Sequence, residues 1–186
     1  MGFLGQAALH RASLARVQQR LGDPAAADSF ERAIGDALSV GDGRLASTAR
    51  LNLARLLRGA GDREAAVRLL EENERWYRSA GGGDFALATQ CALGAVRDDG
   101  SGIEQVLEEA RSAGNVEVQV YALDALGRLA AESGDLDRAG SLLDDSDALA
   151  AQVAHLVDES DRYDAQLARR RTTGQAVATP GVGTIT

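Results

Sequence analysis

The chain offers few side chains able to do covalent chemistry, and they stand apart. Its one cysteine, Cys91, lies in an Ala-rich run with no histidine near it. It reads as a small core residue rather than a nucleophile activated by a base. The two histidines, His10 and His155, are isolated in sequence, and neither forms a metal-ligand pair with a neighbour. Asp144, Asp145 and Asp147 lack the glycine and distal Glu of a calcium loop and read as a solvated helix face. Asp158, Glu159, Asp161 and Asp164 read the same way. Gly81-Gly82-Gly83 is no phosphate loop, because no strand precedes it and no lysine follows it. All 20 basic residues are arginine. Lysine chemistry is therefore absent: no Schiff base, no lysine general base, no phosphate-loop lysine. Arginine brings a different chemistry, a fork that grips carboxylate or phosphate through two parallel hydrogen bonds. No catalytic constellation emerges, so the expectation is a non-enzyme with no cofactor and no metal.

The elements that must position these arginines are helices. Ala, Leu, Arg and Glu dominate the 186 residues, and only two are proline. Acidic residues outnumber basic ones by 28 to 20, for a net charge of −8, which argues against direct nucleic-acid binding. A single cysteine fits a reducing, cytoplasmic setting. No apolar run is long enough to span a bilayer, and the apolar start, Met1 to Leu9, lacks the basic region of a signal peptide.

Three stretches share one shape: Leu21-Gly22-Asp23-Pro24, Ala60-Gly61-Asp62-Arg63 and Ser133-Gly134-Asp135-Leu136. Glycine can take the left-handed conformation that ends one helix, and Asp can cap the next. Pro24 is expected at the first helical position, where its missing N–H costs nothing. A second kind of turn alternates with the first, at Val40-Gly41-Asp42-Gly43, Ala80 to Asp84 and Ala113-Gly114-Asn115. Between these turns, helices are expected at about 3–21, 24–40, 44–60, 63–80, 85–97, 102–113, 115–133 and 136–150, with a last one at about 156–170. Residues 172–186 have no helical period and are expected to form a disordered tail behind a domain of residues 1–171. Trp76 and Tyr77 are expected to pack between the second and third hairpins.

Leu126-Gly127, then Gly134-Asp135, Ala139 and Leu143, resemble the tetratricopeptide (TPR) pattern. Looser copies are Leu14-Ala15 with Gly22, Ala26 and Phe30, then Leu53-Ala54 with Gly61, Ala66 and Leu70. A fourth, Leu93-Gly94, precedes a degenerate turn at Asp98 to Gly102. The copies are spaced by 39, 40 and 33 residues. The resemblance implies an all-α, right-handed superhelical stack of about four helical hairpins with a C-terminal capping helix. Longer, degenerate repeats of this kind resemble the TPR arms of bacterial maltose-regulator-like, LuxR-type and antibiotic-regulatory signalling ATPases. The chain could then be a sensor or assembly arm of a transcriptional regulator, a fragment of something longer.

In the TPR pattern, the residue two places after the signature leucine faces the concave groove. Arg16, Arg55 and Arg128 hold that place here, with Arg20 and Arg58 about one turn on, and Asn52 where related domains grip peptide backbone. The resemblance thus implies a protein-binding scaffold whose concave groove takes a protein or acidic peptide segment. The same arginines could instead pair with Asp and Glu on neighbouring helices. The apolar N-terminal edge, with Phe3, Leu4 and Leu9, lacks a polar cap and offers a surface for another domain, a subunit or self-association. The degenerate 98–102 turn is expected to be the weakest joint.

Overall fold

The computed structural model describes residues 3–80, 84–153 and 162–172. They form α1 (Phe3–Leu21), α2 (Ala26–Ser39), α3 (Gly43–Gly59), α4 (Arg63–Ala80), α5 (Asp84–Arg97), α6 (Gly100–Ser112), α7 (Val116–Ser133), α8 (Leu136–Gln152) and α9 (Tyr163–Thr172). Consecutive helices pair as antiparallel hairpins, and each hairpin packs on the next. The first helices α1, α3, α5 and α7 line one side, and α9 closes the end against α7 and α8. Residues 154–161, where the last helix was expected to begin, and the tail beyond Thr172 lie outside the described residues.

One turn geometry joins most of these helices. Gly22, Gly41, Gly61, Asp98, Gly114 and Gly134 all have φ between +55° and +89°. After each comes Asp or Asn, whose N–H donates to the carbonyl five residues back, at 2.8–2.9 Å. This satisfies carbonyls left open at the helix end. The side chains of Asp42, Asp62, Asp99, Asn115 and Asp135 then accept from the N–H three residues on, at 3.0–3.1 Å, and start the next helix. Among the described residues, the two kinds of turn distinguished in the sequence are therefore one in geometry; positions 81–83 of the 80–84 turn lie outside them. Asp23 is the exception. Its side chain caps Ala25 instead, at 2.9 Å, so Pro24 sits in the turn and not at the first helical position. At Asp98 a non-glycine residue holds the left-handed conformation, and α5 ends about one turn earlier, relative to its Leu-Gly pair, than α3 or α7.

At the Leu-Gly positions helices approach closely. A Cβ on Gly127 would lie 2.9 Å from Leu143 Cγ, and one on Gly94 would lie 2.6 Å from Ile103 Cγ1. Ala15 and Ala54 hold the same place in the first two hairpins and are fully buried. Core clusters join neighbouring hairpins: Ala15, Phe30, Ala33, Ala49 and Leu53 form one, and Leu51, Ala54, Ala66, Leu70 and Leu93 belong to the next. Cys91 lies inside such a cluster, 3% exposed. Burial pushes its thiol up to about 12, which leaves it protonated and inert at neutral pH.

Trp76 and Tyr77, expected between the second and third hairpins, make their described contacts with α3, inside the second hairpin. The Trp76 indole lies against Gly43, where any Cβ would collide with it. The two rings meet edge to face at 4.8 Å, and the Tyr77 hydroxyl shares a short hydrogen bond with the buried Ser47 Oγ. Burial raises the Tyr77 hydroxyl above its ordinary range, against the opposing pull of Ser47 and Arg44.

Candidate functional site

The arginines expected along the groove do not share one environment. The Arg55 guanidinium lies 4.7 Å from the centre of the Tyr121 ring, a cation–π contact that reaches from α3 past α5 to α7. It also donates to Asn52 Oδ1 at 3.4 Å, and Asn52 is itself buried, 8% exposed. Arg16 and Arg58 are half-buried and Arg20 is exposed; each of the three already has an interaction partner.

Arg128 corrects the expectation most clearly, because it is 2% exposed and lies inside the stack. Its Nη2 donates to the Ala95 carbonyl at 2.7 Å and to Asp98 Oδ1 at 3.0 Å, and its Nη1 to Glu132 Oε2 at 2.6 Å. The reason is the early end of α5. The chain turns at Asp98, and this turn brings a carboxylate and a free carbonyl within reach of the Arg128 fork. Arg63 pairs with the same Asp98 from the other side. Partial burial would raise the Asp98 carboxyl, but Arg63 and Arg128 hold it below the usual carboxylate range. The turn expected to be the weakest joint is thus braced by two arginines.

The two ends of the stack differ in kind. At the C-terminal end, Asp124 is 1% exposed within α7. It accepts from Ser146 Oγ at 2.6 Å and from Arg162 Nη2 and Nε at 2.8 and 3.0 Å. Arg162 also pairs with Asp147 at 2.6 Å, and Arg169 reaches Asp144 at 3.0 Å and Asp147. Asp144 and Asp147 lie on an exposed face of α8, as read from sequence, and from it they also pair with the cap. Burial pushes the Asp124 carboxyl up despite Arg162, whereas Arg162 and Arg169 outweigh partial burial at Asp147 and hold it down. Beneath this network Ala165 and Ala168 pack on Ala130, Ala131, Ala139 and Leu143.

At the N-terminal end, Leu9, Leu14, Val17 and Leu21 are 52%, 53%, 49% and 78% exposed. Leu14, Val17 and Leu21 are three and four residues apart and share one helix face. Leu14 is the signature leucine of its repeat. Its counterparts Leu53, Leu93 and Leu126 are 1%, 6% and 4% exposed, each covered by the hairpin before it. The outer face of α1 is thus a stacking face left open.

No family model matches the chain, and no curated protein matches it by sequence. Among solved structures, it is similar to the crystal structure of a Podosopora anserina protein assigned as a kinesin light chain and built of nearly identical TPR-like repeats. The match has a TM-score of 0.57 at 19% identity and covers 94% of this chain and 90% of that one. The fold is TPR-like. In such a TPR-like stack, first helices form the inner wall and the two end faces are the places where stacking stops. Among the described residues, no helix is long and apolar enough to cross a membrane.

Asp124, Arg162 and Asp98 escaped the sequence reading. Asp124 carried a legible signal, a lone carboxylate inside the apolar run Val120-Tyr121-Ala122-Leu123-Asp124-Ala125-Leu126. A charge at such a position calls for a buried partner. Its partner, Arg162, lies 38 residues away with no local pattern to mark it.

Proposed function

We propose that the TPR-like stack is a non-catalytic scaffold that binds a protein partner through its open N-terminal edge. The observation that carries this reading is the Leu14–Val17–Leu21 face, 49–78% exposed, with Leu14 bare at the one position where every later repeat buries its leucine. Stacked helical repeats expose apolar residues singly; a contiguous apolar face is characteristic of an interaction surface. The concave wall is a weaker candidate, because Arg128 is buried, Arg55 rests on Tyr121, and Arg16, Arg20 and Arg58 have partners. An acidic peptide there would have to displace existing contacts. Affinity capture with quantitative mass spectrometry tests the choice. The double variant L14E/V17E should lose the captured partner while R16E/R58E keeps it; the opposite pattern would return the site to the groove.

The uncovered stacking face also favours a second reading, an assembly or sensor arm of a bacterial transcriptional regulator or signalling ATPase working in the cytoplasm. A nucleotide-binding domain encoded in frame or next to this chain would support it. Its absence from related genomes would count against it.

A further inference from the structure

The interior joints follow a rule that the two ends can be tested against. In each, a leading helix meets the second helix of the hairpin before it. The leading positions in register are His10, Ala49, Thr89 and Ala122; the trailing positions in register are Ala33, Asn73, Ala110 and Ser146. Ala33 and Ala49 share one core cluster, and Ala110 and Ala122 share another. Between them, the fully buried Asn73 donates to the fully buried Thr89 Oγ1 at 3.1 Å. Apolar meets apolar and polar meets polar. Two members of the series have no mate of this kind: exposed His10 at the start and buried Ser146 at the end. Both are polar.

Charge follows a similar polarity. Arg97 of α5 pairs with Glu71 of α4 at 2.7 Å, Arg128 of α7 with Asp98 at 3.0 Å, and Arg138 of α8 with Glu104 of α6 at 2.7 Å. The later hairpin supplies arginine and the earlier one carboxylate, with Arg63–Asp98 running the other way. At the start of the stack, α1 carries Arg11, Arg16 and Arg20 and no acid, with Arg11 paired to Asp36 of α2 at 2.9 Å. The far end is mostly carboxylate: α8 carries Asp137, Asp144, Asp145 and Asp147 against Arg138 alone.

The seat on α8 is held by α9. Ala165 and Ala168 cover Ala139 and Leu143, and Arg162 donates to Ser146 Oγ at 2.9 Å. Interior joints put a leucine in this seat, as Leu53 does against Phe30. Alanine buries far less apolar surface than leucine. Among the described side chains, the cap is held by two small apolar residues and by the charges of Arg162 and Arg169, in a place where α1 would bring Leu14.

We propose that the α1 face of one copy stacks head to tail on the α7–α8 end of a second copy, replacing α9 there. Leu14 would cover Leu143, His10 would meet Ser146, and the arginines of α1 would reach Asp144 and Asp147 by exchanging the partners they hold within the chain. Seated α9 keeps the chain monomeric. An isologous pairing of two α1 faces fits less well, because it brings arginine to arginine.

Sedimentation of the full chain over a concentration series tests this. Wild type should stay monomeric. A165E/A168E, which unseats α9, should form chains whose mass rises several-fold with concentration, and adding L14E/V17E should return it to monomer. Wild-type protein, with an open start and a closed end, should shorten the chains when mixed in. A folded A165E/A168E that stays monomeric overturns the proposal, as do chains indifferent to L14E/V17E. Wild-type dimers abolished by L14E/V17E would replace it with the isologous pairing. If the glutamates melt α7 and α8, as read by hydrogen exchange, R162A/R169A frees α9 without placing charge in the seat and is judged by the same outcomes. The inference rests on the α1 face as a docking surface, but the two can fail separately. Monomeric A165E/A168E with a partner still lost in L14E/V17E sinks only self-stacking. Chains sensitive to L14E/V17E with an unchanged capture profile sink only the binding of another protein.

Discussion

The first and last hairpins are built from the same repeat, yet one ends in bare leucine and the other in buried charge. Leu14 is 53% exposed, while its counterpart Leu126 is 4% exposed under the preceding hairpin. At the opposite end, Asp124 is 1% exposed and survives there because Arg162 and Ser146 saturate it. The difference shows that stacking energy and sealing energy are separate matters in this protein. Apolar register, joined by the Asn73–Thr89 and Arg128–Asp98 pairs, holds hairpin to hairpin; a polar network over Ala165 and Ala168 closes the end.

Breaking the sealed end should have the largest effect. Arg162→Ala leaves the Asp124 carboxylate buried without its cation, and removing one partner of a buried pair costs about 3 kcal/mol or more. Urea unfolding should show that loss. The exposed pair Arg97–Glu71 is the control, since Arg97→Ala should cost about 1 kcal/mol or less. Equal losses would mean that the end is no more sealed than the surface.

Next in size is a glycine comparison between the two hairpins. Gly127→Ala forces a Cβ onto Leu143 and should cost about 2 kcal/mol in thermal melts. Gly35→Ala in α2 meets open space and should stabilise by about 0.5–1 kcal/mol. The same change thus carries opposite signs at opposite ends.

Acid should separate the carboxylates of the closed end. Asp147 is depressed in the folded state, so its contribution is full above the unfolded value of about 3.9 and is lost as pH falls through its lower native value. Asp124 is raised, so the folded chain holds that proton more tightly. Its effect reverses: stability falls as pH rises from about 3.9 through the raised native value. Asp124→Asn should therefore compare best with wild type at neutral pH and lose ground as pH falls towards the unfolded value. Urea midpoints across that range check it. A constant difference would show that Asp124 titrates normally.

The smallest effect belongs to the open end. L14E/V17E alters only exposed side chains and should change the stability of the isolated chain by about 0.5 kcal/mol or less. A larger loss would mean that this face is covered within the chain.

Helix positions were legible in the sequence because most described boundaries are written locally, as glycine in the left-handed place followed by Asp or Asn. Where the local code changed, the reading slipped. Pro24 displaced the usual cap at Asp23, and Asp98 replaced glycine in a turn that then looked degenerate. The open leucine face of α1 was legible as an apolar edge without a cap. The fate of the arginines was not, because identical repeat positions have different neighbours. Arg55 finds Tyr121, 66 positions along the chain, whereas Arg128 finds the Ala95 carbonyl and Asp98. Pairing across hairpins depends on where α5 stops, and no residue beside Arg128 records that.

The shared turn also bears on how such a chain can change its length. Because glycine-Asx stops one helix and starts the next with the same backbone path at Gly61 and Gly134, a duplication or deletion cut at those points rejoins like to like. Asp98 is where that interchangeability ends. Its conformation is held by Arg63 and Arg128 from two other helices, so a hairpin copied from this joint alone would leave behind the side chains that hold its bend.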